Sequence, residues 1–174
     1  NDAYSIAKIA GLKMCEFYSK IHRINFKSLM PPNLYGPNDN YDLKTSHFYP
    51  ALFKKIYEAK KNRLKFLKIL GTGKARRELM FVDDFADAVF FFMNKKITQP
   101  YLNIGVGKDY SINWYAKFLM RKFSVKLKIK YDKTKPDGMP RKCLDITEAK
   151  KYGWRPSSDF DKAFKITLKY FQKS

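Results

Sequence analysis

Apolar side chains recur every three or four residues at the start of the chain, and this spacing predicts a helix over residues 4–22. The segment 25–30 (NFKSLM) predicts a short strand, and the prolines and glycine of 31–39 (PPNLYGPND) predict a loop at its carboxyl end. Pro50 stands at the start of the next helical pattern, 51–62, since proline is tolerated in the first turn of a helix. The first third of the chain is therefore expected to run helix, strand, loop, helix.

The remainder of the chain alternates between short apolar segments and longer segments with helical spacing. Strands are predicted at 64–70, 78–82, 101–107 and 126–132, helices at 83–94, 111–123, 146–154 and 159–173, a turn at 71–77 and a loop at 135–145. Ser111 is the expected N-cap of its helix, because its hydroxyl can accept a hydrogen bond from the first turn. Alternation of this kind predicts an α/β fold.

Hydrophobic residues make up 45% of the 174 residues, which is enough for a packed core and excludes a disordered chain. Two cysteines are too few for a disulfide framework, and no paired Cys and His spacing indicates zinc. We therefore expect no metal site and a reducing, cytoplasmic location. The longest apolar run, ADAVFFFM, is too short to span a bilayer, so no membrane partner is expected.

The formal net charge of +20 is typical of a protein that binds nucleic acid or an anionic surface. Only seven of the 36 basic residues are Arg, although Arg is the side chain that binds phosphates and bases through a forked pair of hydrogen bonds. The lysines are spread along the chain without a block of five. A basic nucleic-acid or anion-binding module therefore stays open as the alternative from another class, and the leading expectation includes no nucleic acid.

Two glycine-containing segments, GTGKARRE and GVGKDY, resemble the phosphate-binding turn of a dinucleotide-binding fold only in part. Neither has the full glycine spacing with a helix directly behind it. Both are predicted to be tight turns.

Tyr4 and Lys8 are four residues apart and lie on one face of the predicted first helix. A phenol with the ordinary pKa of about 10 is a poor acid at neutral pH, but a nearby ammonium stabilises the phenolate. Such a pair can pass a proton to a carbonyl oxygen while a cofactor moves hydride. The spacing alone also fits an exposed Tyr beside an exposed Lys, so the motif needs support from the rest of the chain.

That support comes from the runs YSIAKIAG, NLYGPND, SHFYPAL, RRELMFVDD and KPDGMPRKCLD. Together they resemble the GDP-L-fucose synthase family of extended short-chain dehydrogenases/reductases, over essentially the whole chain. The resemblance implies NADPH-dependent conversion of GDP-4-keto-6-deoxy-D-mannose to GDP-L-fucose, by 3,5-epimerisation and then 4-keto reduction, in a homodimer.

The resemblance also implies a fold and its division. The chain would be the C-terminal part of an extended Rossmann-type fold, which has a doubly wound parallel sheet, together with a smaller α/β substrate-binding subdomain. Residues 1–35 and 79–106 would belong to the Rossmann domain, and 36–78 and 107–174 to the GDP-sugar-binding subdomain. The family's glycine-rich NADP turn, catalytic Ser or Thr and base cysteine have no match in this sequence. By itself the chain is therefore expected to be inactive, and poorly soluble or molten.

The family's functional positions map onto this sequence one by one. Tyr4 matches the catalytic Tyr, Lys8 the Lys that holds the nicotinamide ribose, and His47 the acid of the epimerisation. The implied cofactor-binding residues are Lys8, Pro31, Pro32, Asn33, Leu34 and His47. The implied substrate-binding residues are Asn33, Lys55, Arg77, Lys135 and Asp137. Pro32 departs from the family, in which a small polar residue is expected.

Other conspicuous residues have structural interpretations. Cys15 and Cys143 are expected to pack in the interior, and neither matches the base cysteine. Asp83 and Asp84 are expected to cap a helix and not to bind metal. The aromatic run Phe90, Phe91 and Phe92 is expected in the core, and His22 on the surface.

One further enzyme class stays open, an NAD(P)-dependent epimerase or dehydratase that acts on a UDP- or dTDP-sugar. His47 together with the KPDGMPRK loop argues against it, since generic relatives do not need both.

Overall fold

The computed structural model describes residues 2–173. The helices are α1 (Asp2–His22), α2 (Phe48–Lys61), α3 (Val82–Met93), α4 (Ile112–Lys122), α5 (Thr147–Lys151) and α6 (Phe160–Phe171). The strands are β1 (Ser28–Met30), β2 (Asn33–Tyr35), β3 (Phe66–Leu70), β4 (Arg76–Phe81), β5 (Tyr101–Asn103), β6 (Asp109–Ser111), β7 (Lys128–Asp132) and β8 (Arg141–Lys142). Helices and short, mostly parallel strands alternate, which confirms the predicted α/β class.

The strands form three small sheets. β1 pairs with β5, and β3 with β7, both in parallel. The third sheet is built on β4, which pairs in parallel with β2 through residues 79–81 and antiparallel with β6 through residues 76–78. β8 also pairs in parallel with the start of β4. β4 thus contacts three other strands and connects segments that lie as far apart in the chain as β2 and β8.

Glu78 on β4 is buried, with 1% of its surface exposed. Its Oε1 accepts hydrogen bonds from the backbone N–H groups of Val106 (2.6 Å) and Gly107 (2.7 Å), and its Oε2 from that of Leu144 (2.7 Å). A buried carboxylate is tolerated only when such bonds replace water. A side chain at Gly105 would collide with the same carboxylate. Glu78 therefore fixes the loop after β5 and the segment before α5 onto β4.

A second carboxylate, that of Asp109 on β6, is bound by two arginines from neighbouring strands. Arg76 donates from Nε at 2.7 Å, and Arg141 donates from Nε and Nη2 at 3.0 Å each. These charge-assisted bonds hold the pKa of the Asp109 carboxyl well below its usual range. β4, β6 and β8 are thereby joined by side chains as well as by their backbones.

The apolar interior has two parts. The larger is aromatic and lies between α2, α4, α6 and the β3–β7 sheet, with Phe53, Tyr115, Phe123 and Phe164 at its centre. Edge-to-face ring contacts such as Phe53–Phe123, with centroids 5.0 Å apart, recur through it. The smaller part surrounds Met80, Ala88, Phe92, Leu102, Ile104 and Trp154.

The helix α1 has none of its residues buried in the described structure. Ile6, Ile9, Phe17 and Ile21 are each more than half exposed. The expectation that Cys15 packs in the core is therefore wrong, since its side chain is only half-buried. The prediction that the chain alone is poorly soluble or molten is untested, and this apolar surface is its physical basis.

Several predicted boundaries were correct. α1 covers the predicted 4–22, and Pro50 lies in the first turn of α2. Ser111 caps α4 as expected, since its Oγ accepts a hydrogen bond from Trp114 N–H at 3.1 Å. His22 is exposed, as predicted.

Other expectations were wrong, and most of them concern very short strands. The predicted loop 31–39 contains β2, the predicted loop 135–145 contains β8, and the predicted turn 71–77 overlaps the start of β4. β6 was not predicted, and the predicted strand 101–107 ends at Asn103. Strands of two or three residues are too short to show a polar–apolar alternation.

Two interpretations of α3 also change. Phe90 is 70% exposed, whereas Phe92 is buried, so the aromatic run is only partly in the core. The buried Asp84 does not cap its own helix. Its Oδ1 accepts hydrogen bonds from the N–H groups of Ser157 (3.1 Å) and Ser158 (3.2 Å) and so holds the segment before α6.

The proposed division into 1–35 with 79–106 and 36–78 with 107–174 stays a prediction, and its first and last residues lie outside the described ones. Ala149 and Trp154 pack in the smaller core beside the expected Rossmann segments. Of the helices described, none combines the length and the apolar character needed to cross a membrane.

We predict that Asp109→Asn lowers the free energy of unfolding at pH 7 by about 2 kcal/mol, because Arg76 and Arg141 lose their charged partner. A carboxyl whose folded pKa is depressed stabilises the fold above its unfolded pKa of about 4 and loses this effect as the pH falls. Urea denaturation should therefore show the difference between the variant and the wild type starting to shrink below about pH 5 and still shrinking below pH 3, towards the depressed folded pKa of Asp109.

Asp161→Asn is the matched control, since this exposed carboxylate has Lys122 as its partner at 2.6 Å. It should change the free energy of unfolding by less than about 0.5 kcal/mol. A difference between Asp109→Asn and the wild type that stays constant down to pH 3 would contradict the assignment.

Candidate active site

Tyr4 and Lys8 lie one turn apart on α1, as their spacing predicts. The Nζ of Lys8 is 5.4 Å from the centroid of the Tyr4 ring, which is within the range of a cation–π contact. Both side chains are exposed, Tyr4 by 65%. The pair thus lies on one exposed face of α1, and the Tyr4 side chain is accessible to a ligand.

The predicted nicotinamide loop follows the carboxyl end of β1. Pro31, Pro32, Asn33 and Leu34 are all half-buried, and the last two form part of β2. Ligands of open α/β folds bind at the carboxyl ends of parallel strands. The loop is therefore at the edge of the β1–β5 sheet where a cofactor is expected.

His47 stands directly before α2, in an extended conformation, and its exposed side chain makes no capping hydrogen bond. Burial raises the pKa of the nearby Asp39 carboxyl, and the charge of His47 opposes this effect. The buried hydroxyls of Ser46 and Tyr49 have no hydrogen-bond partner among the described residues. The imidazole is therefore accessible to a ligand, and the Asp39 carboxyl is near enough to feel its charge.

Lys55 is half-buried on the next turns of α2. Burial lowers the pKa of its ammonium, and the Lys68 ammonium adds to this effect. Within residues 2–173 Lys55 has no ion pair. A cation held in this way would be stabilised by an anionic ligand.

Arg77 is held in place by its own strand and by the loop before β8. Its Nη1 donates to the carbonyl oxygens of Met139 (2.6 Å) and Arg76 (2.7 Å), and Tyr115 O–H donates to the Arg77 carbonyl at 2.8 Å. A guanidinium has five N–H donors. Its Nε and Nη2 groups have no partner among the described residues and can bind a ligand's oxygens.

Asp137 connects the same loop to the turn between β3 and β4. Its Oδ1 accepts from Thr72 N–H at 2.6 Å and its Oδ2 from Thr72 O–H at 2.5 Å. These bonds lower the pKa of the Asp137 carboxyl. Gly71, at φ +72°, leaves the space that this carboxylate occupies. Asp137 thus has a structural role here, and its predicted guanosine contact stays untested.

Hydrogen bonds bring some of the predicted site residues together. Hydrogen bonds tie Arg77 and Asp137 to one loop, in which Lys135 is exposed and donates its N–H to the Asp132 carbonyl at 3.2 Å. No hydrogen bond or ion pair within residues 2–173 joins Tyr4 or Lys8 to this group. Their assignment to one catalytic site stays a prediction.

Three residues near the site were missed by sequence reasoning: Asp39, Thr72 and Tyr115. Thr72 stands in the GTGK turn, whose glycines indicated a tight turn but not a partner 65 residues away. No local pattern marks Asp39 or Tyr115, because their contacts are made only in the folded chain.

Comparison with known proteins identifies the family to which the chain is similar. Residues 1–105 match the NAD dependent epimerase/dehydratase family. The chain is 42% identical over 161 residues to GDP-L-fucose synthase of Sinorhizobium fredii, which is 92% of this chain and 51% of the relative. It is 38% identical over 174 residues to GDP-L-fucose synthase 1 of Arabidopsis thaliana, which is 100% of this chain and 54% of the relative.

Among solved structures, a GDP-L-fucose synthetase from Naegleria fowleri bound to NADP superposes with a TM-score of 0.86 at 26% identity, covering 99% of this chain and 56% of the other. The chain thus spans about half the length of the curated relatives it matches.

We predict that Asp137→Asn loosens the loop over the Gly71–Gly73 turn, because a neutral amide holds the Thr72 N–H and O–H less strongly than a carboxylate does. Amide hydrogen exchange at Thr72 should become faster at neutral pH. In the wild type the protection of Thr72, which is its exchange rate relative to the intrinsic rate at the same pH, should be lost as the pH falls through the lowered pKa of Asp137.

Asp42→Asn is the matched control, because Asp42 accepts the backbone N–H of Lys44 at 2.7 Å in a different loop. It should leave exchange at Thr72 unchanged. Equal exchange at Thr72 in Asp137→Asn and the wild type would show that the contact does not hold the turn.

Proposed function

Since the chain belongs to the NAD dependent epimerase/dehydratase family, we propose that it carries the reductase pair and the GDP-sugar-binding face of a GDP-L-fucose synthase. The reaction is the NADPH-dependent conversion of GDP-4-keto-6-deoxy-D-mannose to GDP-L-fucose. The observation that carries this proposal is the identity of 38–42% to enzymes of that name, which extends over almost the whole chain.

The residues present suit NADPH. The exposed Lys8 ammonium can bind a ribose hydroxyl, the Pro31–Leu34 loop lies at the carboxyl edge of β1, and His47 has no competing cap hydrogen bond. When bound, the cofactor supplies hydride to C4 of the sugar. The protein's task is then to orient the ketone and to move protons.

The proton for the reduction comes from Tyr4 in this proposal. Its O–H donates to the C4 oxygen, and the adjacent Lys8 ammonium stabilises the phenolate that remains. The exposure of the hydroxyl leaves room for the sugar. Without the ammonium, the departing proton would leave an uncompensated negative charge.

Epimerisation needs an acid and a base on opposite faces of the sugar, and the C4 ketone acidifies the hydrogens at C3 and C5. His47 would donate the proton, since imidazole is the side chain most suited to acid–base catalysis near neutral pH. Burial raises the pKa of the Cys143 thiol, and the charges of Glu78 and Asp109 raise it further. A raised pKa disfavours the thiolate form, which is the form that the base of the epimerisation would need. Cys143 is therefore unsuited to the role of this base.

The diphosphate would be bound by Lys55 and by the free donors of Arg77. Lys135 and Asp137 would lie on the guanosine side, in the loop that Arg77 and Thr72 hold. Asn33 would face the sugar. In a homodimer, the exposed apolar face of α1 would be covered at least in part.

The nearest alternative function is that of an enzyme which acts on a different nucleotide sugar. The more distant alternative is that of a basic module which binds nucleic acid. Binding of GDP over UDP by at least tenfold would favour the proposal over a UDP-sugar enzyme. Affinity for DNA or RNA that falls steeply with salt would favour the basic module.

We predict that Tyr4→Phe in the full-length enzyme lowers kcat for NADPH oxidation by about 100-fold or more, the usual contribution of a general acid. Exchange of the C3 and C5 hydrogens of the substrate with D₂O should continue. His47→Gln should instead slow this exchange. Both are measured by NMR of the sugar and by absorbance of NADPH.

Tyr18→Phe is the control, because Tyr18 is a half-exposed tyrosine on the same helix. Unchanged kcat in Tyr4→Phe, or equal losses in Tyr4→Phe and Tyr18→Phe, would refute the role of Tyr4.

We predict further that Lys55→Ala and Arg77→Gln each raise the Kd for GDP by about tenfold, because each removes a cation from the diphosphate. The Kd for guanosine, which has no phosphate, should be unchanged. Calorimetric titration measures both, with the exposed Lys61→Ala on the same helix as control. Equal weakening of guanosine and GDP would indicate a general loss of structure.

A further inference from the structure

A groove of about 1070 Å³ opens between the start of β3, the outer face of α4 and the segment that leads into β7. Its floor is apolar and includes Leu64, Phe66, Trp114, Met120 and Leu127. Its rim carries the cations Lys65, Lys117, Arg121, Lys126 and Lys128. No residue assigned to the proposed active site lines it.

The groove and the loop that carries the proposed substrate-binding Asp137 lie at opposite ends of the β3–β7 sheet. Phe66 pairs with Lys128 at the amino ends of the two strands, beside the groove. Leu70 pairs with Asp132 at the carboxyl ends, just before the Thr72–Asp137 contact. The four steps from Phe66 to Leu70, at about 3.3 Å each, separate the two regions by roughly 13 Å. The groove is therefore a separate feature of the molecule.

The rim has an unbalanced positive charge. None of its five cations has an ion pair within residues 2–173, and the described lining contains no Asp or Glu. Lysines near this region but outside the groove do have partners, as in Lys68–Asp132 at 2.8 Å and Lys122–Asp161 at 2.6 Å. Clustered unpaired cations beside a low-dielectric wall raise the local concentration of anions.

The floor is apolar and held in place. The Trp114 ring stacks on Tyr110 at 3.9 Å and on Phe118 at 5.5 Å between centroids. Leu64 is 53% exposed and Phe66 44%, and the Lys130 Nζ lies 3.8 Å from the Phe66 ring centroid. Exposed apolar side chains in a concave, cation-rimmed surface indicate a binding site.

The lining also limits what can bind. Apart from the cations, its polar side-chain groups are the Ser124 hydroxyl and the Trp114 indole N–H. A nucleobase or a sugar needs several matched donors and acceptors, which the described lining does not provide. An alkyl or prenyl chain with an anionic head needs only an apolar floor and cations at the edge.

We propose that this groove binds an anionic amphiphile, a small molecule with an alkyl or prenyl body and a phosphate or carboxylate head. Its volume is that of a small-molecule site, and its concave shape suits one molecule better than the flat surface of a membrane. The site is independent of the proposed catalytic activity.

The test is calorimetric titration of the full-length protein with dodecyl phosphate below its micellar concentration. The expected result is saturable binding with one molecule per chain, weakened at high salt because exposed charges are screened. Dodecyltrimethylammonium, which has the same body and the opposite charge, should bind at least tenfold more weakly. Trp114 emission should change with the phosphate.

Lys65→Glu with Lys126→Glu should weaken dodecyl phosphate binding by about tenfold or more. Lys165→Glu with Lys173→Glu makes the same charge change at exposed positions outside the groove and should alter the Kd by less than about twofold. All four lysines are exposed, so both variants should keep the thermal midpoint of the parent.

Three outcomes would overturn the proposal. Equal weakening by the two double variants would mean that only net charge matters. If dodecyltrimethylammonium bound as tightly as dodecyl phosphate, the cations of the rim would not select for an anionic head group. Binding to phosphatidylglycerol vesicles without binding to monomeric dodecyl phosphate would make the groove a contact for a membrane surface.

Discussion

The carboxylate of Glu78 is buried in the middle of β4 and accepts three backbone N–H groups from two segments that follow it by 28 to 66 residues. A buried charge of this kind is stable only while every bond is made, since an unpaired one carries the full cost of desolvation. The position of the loop after β5 and of the segment before α5 therefore depends on this residue. The Glu78 carboxylate also lies so close to Gly105 that no side chain would fit at this position.

Arg76 and Arg77 are adjacent residues of β4, but their side chains have different partners. Arg76 neutralises Asp109 together with Arg141, so its charge is used within the fold. Arg77 is clamped by carbonyl oxygens and keeps unpaired donors. The difference between the structural Arg76 and Arg77, the proposed ligand-binding arginine, thus lies in which groups surround each guanidinium.

The proposed catalytic pair is less well anchored than the proposed substrate-binding residues. Tyr4 and Lys8 are on a helix that contributes no buried residue to either core, whereas Lys55 and Arg77 come from elements packed around the aromatic core. Much of the apolar surface of α1 is exposed, so few packing contacts within the described residues fix the orientation of this helix. The groove beside α4, in contrast, is built on Trp114 and its stacked neighbours, so its shape is set by the aromatic core itself.

Local patterns in the sequence determined the long helices, the α/β class, the helix cap at Ser111 and the one-turn spacing of Tyr4 and Lys8, because each depends on residues within a few positions of one another. The resemblance of several short runs to one family identified the candidate site residues. The strands β2, β6 and β8 could not be predicted, since two or three residues show no alternation and pair only when β4 is in place. The contacts of Glu78, of Asp84 with the segment before α6, and of Asp137 with Thr72 join residues far apart in the chain. Only the tertiary structure decided them, because burial and hydrogen-bond geometry exist only once those distant segments are brought together.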